Sequence, residues 1–337
     1  MIEEIAADFY RIEIPLPKIF LKSVNAYVIR DRERNLIIDT GMYDDKCMQA
    51  MQAGLKQLGI DLKKTDFFIT HSHVDHIGLV PRLIHAGSII YINKLEVDFI
   101  QKIESGVFFL EIRDLLRISG FPEKVPAKIL PPNIDIKRDF TLKGRSRFQF
   151  LEDGNTIARG RYRFICVNTP GHSKGHMCLY EPDKKILIAG DHLLKDITPG
   201  IQGRIDNENP LKEYLSSLDK VYALDIDIVL PGHRALFRNC KKRIKEIKEH
   251  HRQRSCEIIS ILQEGERSIY ETASRMTWNM DCDSWASFPV LQSFFATAEA
   301  FAHLGYLEKN GEVERRMEGE TAIYRLSATL TVANENQ

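Results

Sequence analysis

Nowhere in the chain is there an apolar run of about 18 residues, the length that a bilayer-crossing helix requires. The first twenty residues, MIEEIAADFYRIEIPLPKIF, are acidic at the start and hold no uncharged apolar stretch, so neither an export signal nor a membrane span is expected. Excess charge of one sign is missing too: 47 Lys plus Arg face 47 Asp plus Glu. The chain as a whole therefore presents no field to draw in nucleic acid, anionic lipid or acidic substrates, and such a partner would need a local patch. Cysteine is sparse, and Cys47, Cys166, Cys178, Cys240, Cys256 and Cys282 form neither a C-x-x-C pair nor a regular framework. Reduced, mostly buried thiols in a cytoplasmic protein are the expectation. There is no internal repeat and no low-complexity segment.

What remains is an ordinary globular composition, 43% hydrophobic and 28% charged, in 337 residues, enough for one large domain and a smaller one. Through the first 235 or so residues, short apolar runs end at Gly, Pro, Asn or Asp: AYVIRD, NLIIDTG, DFFITH, SIIYIN, RFICVNTPG, KILIAGD and DIVLPGH. Their length and β-branched content predict strands buried on both faces. Helical patterns such as DDKCMQAMQAGLKQLG and NPLKEYLSSLDKV lie between them, so residues 1–240 are expected to form an α/β layered domain. Residues 96–121 read as an inserted helical pair, either a packed excursion or a lid carrying Phe108 and Phe109. Residues 241–337 change texture to a long helix, two further helices and two strands around turns, the order of a winged-helix-like domain.

Chemistry concentrates where the apolar runs end. FFIT leads to His71, CVNTPG to His172, ILIAG to Asp191, DIVLPG to His233, and LIID ends in Asp39. If the runs are strands of layered sheets, their C-terminal ends share one edge and these side chains converge. The segment THSHVDH adds His73, Asp75 and His76, a density of metal-capable groups for which a surface loop has no structural use. His71 and His73 alternate across one residue and can bind one ion together with His172. Asp75 and His76, facing the other way round the turn, can form a second site with His233, and Asp191 could bridge the two. Two ions about 3.5–4 Å apart would share a water and lower its pKa toward 7, which is hydrolytic chemistry.

These segments, THSHVDH, TPGHSKGH, AGD and LPGH in that order with IIDTG upstream, resemble the metallo-β-lactamase fold hydrolases over roughly residues 8–240. The resemblance implies an αββα sandwich of two mixed sheets between helices. It implies first-site ligands His71, His73 and His172, second-site ligands Asp75, His76 and His233, and the bridge Asp191. The second position is His73 rather than Glu, unlike the di-iron flavoprotein branch. Asp191 stands where true β-lactamases have no bridging aspartate, so antibiotic hydrolysis is not expected. The full ligand set also speaks against the mono-iron persulfide dioxygenase branch. Asp39 is expected to orient a ligand histidine by accepting its other N–H. His176 could hold a substrate oxygen or satisfy its loop, and His192 is assigned a structural role. His85, His250, His251 and His303 have no ligand spacing, and His303, in an apolar helix, reads as a satisfied core residue. The donor set takes zinc first, with iron or manganese as alternatives.

The expected function is a cytoplasmic di-metal hydrolase of an activated acyl bond in a small molecule: a thioester, ester or lactone. Hydroxide held between the ions would attack the carbonyl, with Asp75 and Asp191 orienting it. The ligand set and TPGHSKGH look like the hydroxyacylglutathione hydrolase and lactonase branches, although the C-terminal part does not look like a helical glutathione-binding domain. The alternative is a phosphodiesterase, an endoribonuclease acting on single-stranded RNA, because lactamase-like RNA-cleaving proteins share the arrangement with a C-terminal winged helix. The basic run KKRIKEIKEHHRQR at 241–254 is the patch that could meet phosphate, or else a solvated linker face. DNA is not expected: residues 287–307, the would-be groove helix, contain Glu299 and no Lys or Arg, and residues 255–337 hold 6 basic against 13 acidic side chains. That apolar helix suits packing on the hydrolase domain or in a homodimer. A third reading, a scaffold keeping zinc for structure, fits poorly, because structural zinc is closed by four ligands and seven candidates are present.

Overall fold

The computed structural model describes residues 1–17, 21–122, 147–206, 208–279, 282 and 284–328. Among these, 1–104, 147–199 and 217–244 form one compact unit, and 105–122, 200–216 and 245–328 form another. The units interleave along the chain where a single boundary after residue 240 was expected.

The first unit is built on two sheets. Strands β1 (Ile2–Ala6), β2 (Phe9–Pro15), β3 (Ser23–Ile29), β4 (Asn35–Ile38), β5 (Thr65–Phe68), β6 (Ile89–Ile92) and β7 (Arg147–Phe150) lie side by side in chain order. The first four are antiparallel neighbours, whereas β4 to β7 are parallel. Strands β8 (Thr156–Arg159), β9 (Tyr162–Asn168), β10 (Met177–Glu181), β11 (Ile186–Gly190) and β12 (Ile228–Pro231) form the second sheet in the order β12-β11-β10-β9-β8.

Period-two burial explains how the layers stack. On β3, Val24, Ala26 and Val28 face one side and Tyr27 and Ile29 the other. The first set packs on helix α1 (Asp45–Gln57), whose apolar stripe of Cys47, Met48, Met51 and Leu55 has the helical period. Asp44 caps that helix through the N–H groups of Lys46 and Cys47. The second set meets Phe164, Cys166, Met177, Leu179 and Ile188 of the other sheet, so the two sheets face each other across a shared core. Phe9 and Tyr162 cross that core edge to face at 5.3 Å.

Strand direction then fixes where the polar residues go. β9 is antiparallel to β10 and β10 to β11, while β11 is parallel to β12, so β9, β11 and β12 all run the same way. Their C-terminal ends, and those of parallel β4 and β5, lead to the residues singled out above: Asp39, His71, His172, Asp191 and His233. After β5 come two one-turn helices, α2 (Val74–Ile77) and α3 (Val80–Leu83), and after β6 comes α4 (Lys94–Ser105).

In the second unit, helix α5 (Val107–Ile118) places Leu115 and Ile118 on a core made by α7 (Cys240–Gln263), α8 (Ile269–Arg275), α9 (Val290–Lys309) and strands β13 (Arg267–Ser268), β14 (Val313–Glu318) and β15 (Thr321–Leu326). Helix α6 (Pro210–Tyr222) precedes α7 in the chain. The helical pair expected at 96–121 is thus present as α4 and α5, but its two helices belong to different units. A Ser268–Glu271 capping box opens α8. Strand β13, only two residues long and paired with β15, was invisible to pattern reading. Among the described residues no helix is long and apolar enough to cross a membrane.

Candidate metal centre

Strand β5 ends inside the core, and the chain leaves it as Ile69–Thr70–His71 before His73 opens the one-turn helix α2. That turn sets Asp75 and His76 beside the two histidines. His71 Nε2 lies 2.9 Å from His73 Nδ1, and the same Nδ1 lies 3.1 Å from His172 Nε2, which arrives from the loop after β9. His73 Nδ1 can carry at most one proton, so it cannot hydrogen-bond as a donor to both neighbours. Three ring nitrogens converging on one point fit a shared cation, because ligands about 2 Å from zinc stand little more than 3 Å apart.

The second group follows the same logic. His233 Nε2 stands 3.4 Å from both Asp75 Oδ2 and Asp191 Oδ2, and His76 Nε2 stands 3.5 Å from Asp191 Oδ1. These atoms are too far apart for good hydrogen bonds, and buried His76 Nε2, His233 Nε2 and Asp191 Oδ1 have no hydrogen-bond partner among the described residues. Asp191 also reaches His172 Nε2 through Oδ2 at 3.6 Å, so its carboxylate touches both groups. Three sets of ligand atoms lie within 4.8 Å of one another: His71, His73 and His172; Asp75, His76 and His233; and His71, His76 and Asp191. The donor chemistry fits two divalent cations with Asp191 between them.

Three of the histidines, His71, His76 and His233, are held from behind. Asp39 Oδ2 accepts from His76 Nδ1 at 2.8 Å and from Thr70 Oγ1 at 2.8 Å, while its Oδ1 accepts from the Thr70 N–H at 2.9 Å. Thr70 Oγ1 in turn contacts His71 Nδ1 at 3.0 Å. A single carboxylate thereby fixes the ring of one histidine in each group, and its residue sits at φ 56°, a left-handed conformation that a non-glycine adopts at a cost. His233 Nδ1 donates to the Ser23 carbonyl at 2.7 Å. Strand β3 also ties down the loop that carries His233, through Asn25 Nδ2 and Tyr27 Oη donating to Pro231 O at 2.9 and 2.6 Å. In that loop a Cβ at Gly232 would stand 2.4 Å from Asp191 Oδ1, so only glycine lets it pass the bridge.

Electrostatics divide the centre. Burial, with the neighbouring His76 and His73, pushes His71 well below the usual imidazole range, and burial with His172 takes His73 down to about 3. On the other side burial opposes the cation of His233, but Asp191 and Asp75 outweigh it and lift the residue to about 10. His76 is likewise raised, the carboxylates of Asp191, Asp39 and Asp75 overcoming its burial. Asp75 falls to about 2, because His76 and His233 overcome the cost of burying its charge. Positive charge is wanted at this spot, and metal binding would displace these protons.

All nine residues singled out from the sequence lie at or behind the centre. His176 is the one whose two readings the geometry separates: it is fully buried, its Nε2 accepts the Asp191 N–H at 3.2 Å, and its Nδ1 meets Thr169 Oγ1 at 2.8 Å. It holds the Asp191 backbone and has no nitrogen left for a substrate. Thr70, Ser23, Asn25 and Tyr27 were missed, because their roles come from pairing across strands and leave no local pattern.

Comparison with known proteins shows the family. The model for the metallo-beta-lactamase superfamily matches residues 20–233. A beta-lactamase-like protein 2 homolog of Caenorhabditis elegans is 24% identical over 73% of this chain and 68% of its own length. An atrochrysone carboxyl ACP thioesterase of Aspergillus fumigatus is 23% identical over 73% of this chain and 62% of its own. The crystal structure of a metallo-beta-lactamase family protein from Thermus thermophilus superposes with a TM-score of 0.77 at 25% identity, covering 96% of this chain and all of that one.

Proposed function

Since the chain belongs to the metallo-β-lactamase superfamily, a family of metal-dependent hydrolases, we propose that it cleaves an activated acyl bond, a thioester, ester or lactone, in a small molecule. The observation that carries this reading is the convergence of seven ligand side chains from both sheets on two adjoining points, with the Asp191 carboxylate touching both groups. Bound divalent ions, zinc first among them, would supply a water that ionises near neutral pH and a Lewis acid for the developing oxyanion.

The chain's own groups do the rest. His71, His73, His172, Asp75, His76 and His233 offer lone pairs already aimed inward, so little reorganisation accompanies binding. Asp191 and Asp75 accept hydrogen bonds beside the place where a nucleophilic water would sit and orient it toward a carbonyl. Burial of His71, His76, Asp191 and His233 strengthens the charge interactions there. Among acyl substrates a thioester has support from the relative named a thioesterase.

The nuclease alternative gains little from the basic run. Arg243 donates to the carbonyls of Leu194 and Ile197, each at 2.8 Å, and Arg252 pairs with Glu249. Arg254 is buried, bonded to Glu257 and Thr277 O, and stacked 4.1 Å over Trp278. Those three cations have structural work already. We read α7, α8, α9 and the β14–β15 hairpin as a winged-helix-like arrangement that packs and does not serve nucleic acid. Homodimer formation through α9 would rest on its exposed Leu291 and Phe295, since Phe294, Phe301, Leu304 and Leu307 are buried in the helix's own unit.

The test is turnover of acyl thioesters, γ-lactones and bis-p-nitrophenyl phosphate by zinc- or manganese-reconstituted protein, with His71→Ala as control. Acyl turnover above that control is expected. Phosphodiester turnover alone would replace this reading with the nuclease one.

A further inference from the structure

Helix α4 carries a carboxylate that no ligand pattern pointed to. Glu96 is 1% exposed, and its two oxygens are divided between the two loops that supply the three-histidine group. Oε2 accepts from the Ser72 N–H at 2.7 Å and from Ser72 Oγ at 2.5 Å. Ser72 is the residue between His71 and His73. Oε1 accepts from Ser173 Oγ at 2.7 Å and from the Gly175 N–H at 2.7 Å. Ser173 follows His172, and Gly175 precedes His176.

Resting on the di-metal reading above, we infer that Glu96 is a positioning residue that clamps these two loops together and so sets the spacing of His71, His73 and His172 before any ion binds. The ligands of that group come from different sheets, His71 and His73 after β5 and His172 after β9, and the backbone bond from the Met177 N–H to Thr70 O, 3.0 Å, ties only the bases of the two loops, five residues from His172, and does not by itself fix the separation of the ligands. A buried carboxylate taking two charge-assisted donors on each oxygen does. The clamp is itself braced: Asn93 Oδ1 accepts the Leu95 N–H at 2.9 Å and Asn93 O accepts the Glu96 N–H at 3.1 Å, which fixes the first turn of α4. A Cβ at Gly175 would lie 3.0 Å from Glu96 Oε1 and 2.9 Å from Asn93 Oδ1, so a side chain there would push the carboxylate off its donors. The glycine of the HSKGH segment thereby has a physical reason that turn geometry does not supply.

The other histidine group is held by Asp39 and Ser23, which do not touch Glu96, so the inference predicts a selective defect. In Glu96→Gln the amide keeps one acceptor oxygen and turns an NH2 toward the donors of one loop, which opens one arm. Cobalt(II) titration of the apo full-length chain, followed by absorbance and by chelator competition, should show one of two ions bound about 10–100-fold more weakly and the other within about threefold of wild type. Glu96→Asp, which keeps both oxygens, should recover part of the loss. Ser173→Ala should weaken the same ion, and should add little on top of Glu96→Gln because both open the same clamp. Wild-type affinity for both ions in a folded Glu96→Gln protein would overturn the inference, as would equal weakening of both. If circular dichroism shows that Glu96→Gln does not fold, Ser72→Ala and Ser173→Ala decide, and wild-type cobalt affinity in both overturns it. Failure of the acyl-hydrolase reading would show in the substrate panel and leave these affinities untouched.

Discussion

Two clusters of buried histidines lie in this chain, one in each unit, and they are built for opposite ends. In the first unit the rings of His71 and His172 are 5.0 Å apart, and in the second those of His251 and His303 are 5.3 Å apart. Ring spacing does not tell them apart. Direction does. Ser255 Oγ meets His303 Nδ1 at 3.1 Å and His303 Nε2 meets His251 Nδ1 at 3.2 Å, a line of groups each bonded to the next. In the first unit the ring nitrogens meet at a point, and carboxylates stand among them. The charge states diverge accordingly: carboxylates lift His233 to about 10, whereas burial, with no carboxylate to offset it, takes His251 down to about 3. A cluster that converges on carboxylates is made to hold cations, and a cluster that chains through a hydroxyl is made to pack.

Breaking the first cluster should give the largest effects. Asp191→Asn removes the charge shared by both groups, so turnover is expected to fall by more than about 100-fold, with loss of at least one bound ion measured by elemental analysis. Retention of both ions and of turnover would remove Asp191 from the bridge. Asp39→Asn comes next. It keeps the side chain's shape but must present an NH2 toward either Thr70 or His76, so metal affinity should drop about 10–100-fold. Thr70→Val should do less, because it cuts only the branch to His71. Equal effects from the two would mean that His76 does not depend on Asp39.

Most of the first cluster was legible because its ligands follow strands directly. His71, His172, Asp191 and His233 each come within a few residues of an apolar run, so alternation and strand ends suffice to gather them. Glu96 was not legible. It sits in the first turn of a helix with ordinary helical spacing, and its four donors lie 24 to 79 residues away in the chain. Nor were β1 and β2, whose residues Glu3, Glu4, Arg11 and Glu13 interrupt any apolar run. The interleaving of the units was hidden for another reason: Leu115 and Ile118 look like any amphipathic stripe, and only the packed structure shows which core they fill. His303 could be read correctly as a core residue, since its immediate neighbours Phe301, Ala302 and Leu304 are apolar and no ligand spacing surrounds it.

Acid separates the two clusters more gently. His251 has a folded pKa of about 3, below its ordinary value near 6.5, so between these limits the unfolded chain takes up a proton that the folded chain refuses. The stability tied to this residue is complete above about pH 6.5 and drains as pH falls toward 3. Both tryptophans, Trp278 and Trp285, belong to the second unit, so their fluorescence reports its unfolding alone. His303→Leu strands Ser255 Oγ and His251 Nδ1 and should cost about 1–3 kcal/mol. Replacing His251 and His303 together by Leu should cost less than that and should flatten the acid limb. An unchanged acid limb in the double variant would show that other groups set it.

The smallest effect is expected on the basic helix, and it bears on the choice between acyl and phosphodiester chemistry. Neutralising Lys241, Lys245 and Lys248 by Gln removes three positive charges from α7 without touching a proposed ligand. A hydrolase of a small acyl substrate has no use for that charge, so turnover of its best thioester or lactone should stay within about twofold at any salt concentration. An enzyme that tracks a polynucleotide backbone there would lose affinity for single-stranded RNA, and its salt dependence would flatten by roughly one counterion for each phosphate that the helix no longer neutralises. A flattened salt slope in the triple variant would transfer the metal centre from acyl transfer to phosphodiester cleavage, and would assign α7 a task that Arg243, Arg252 and Arg254, already bonded within the fold, do not perform.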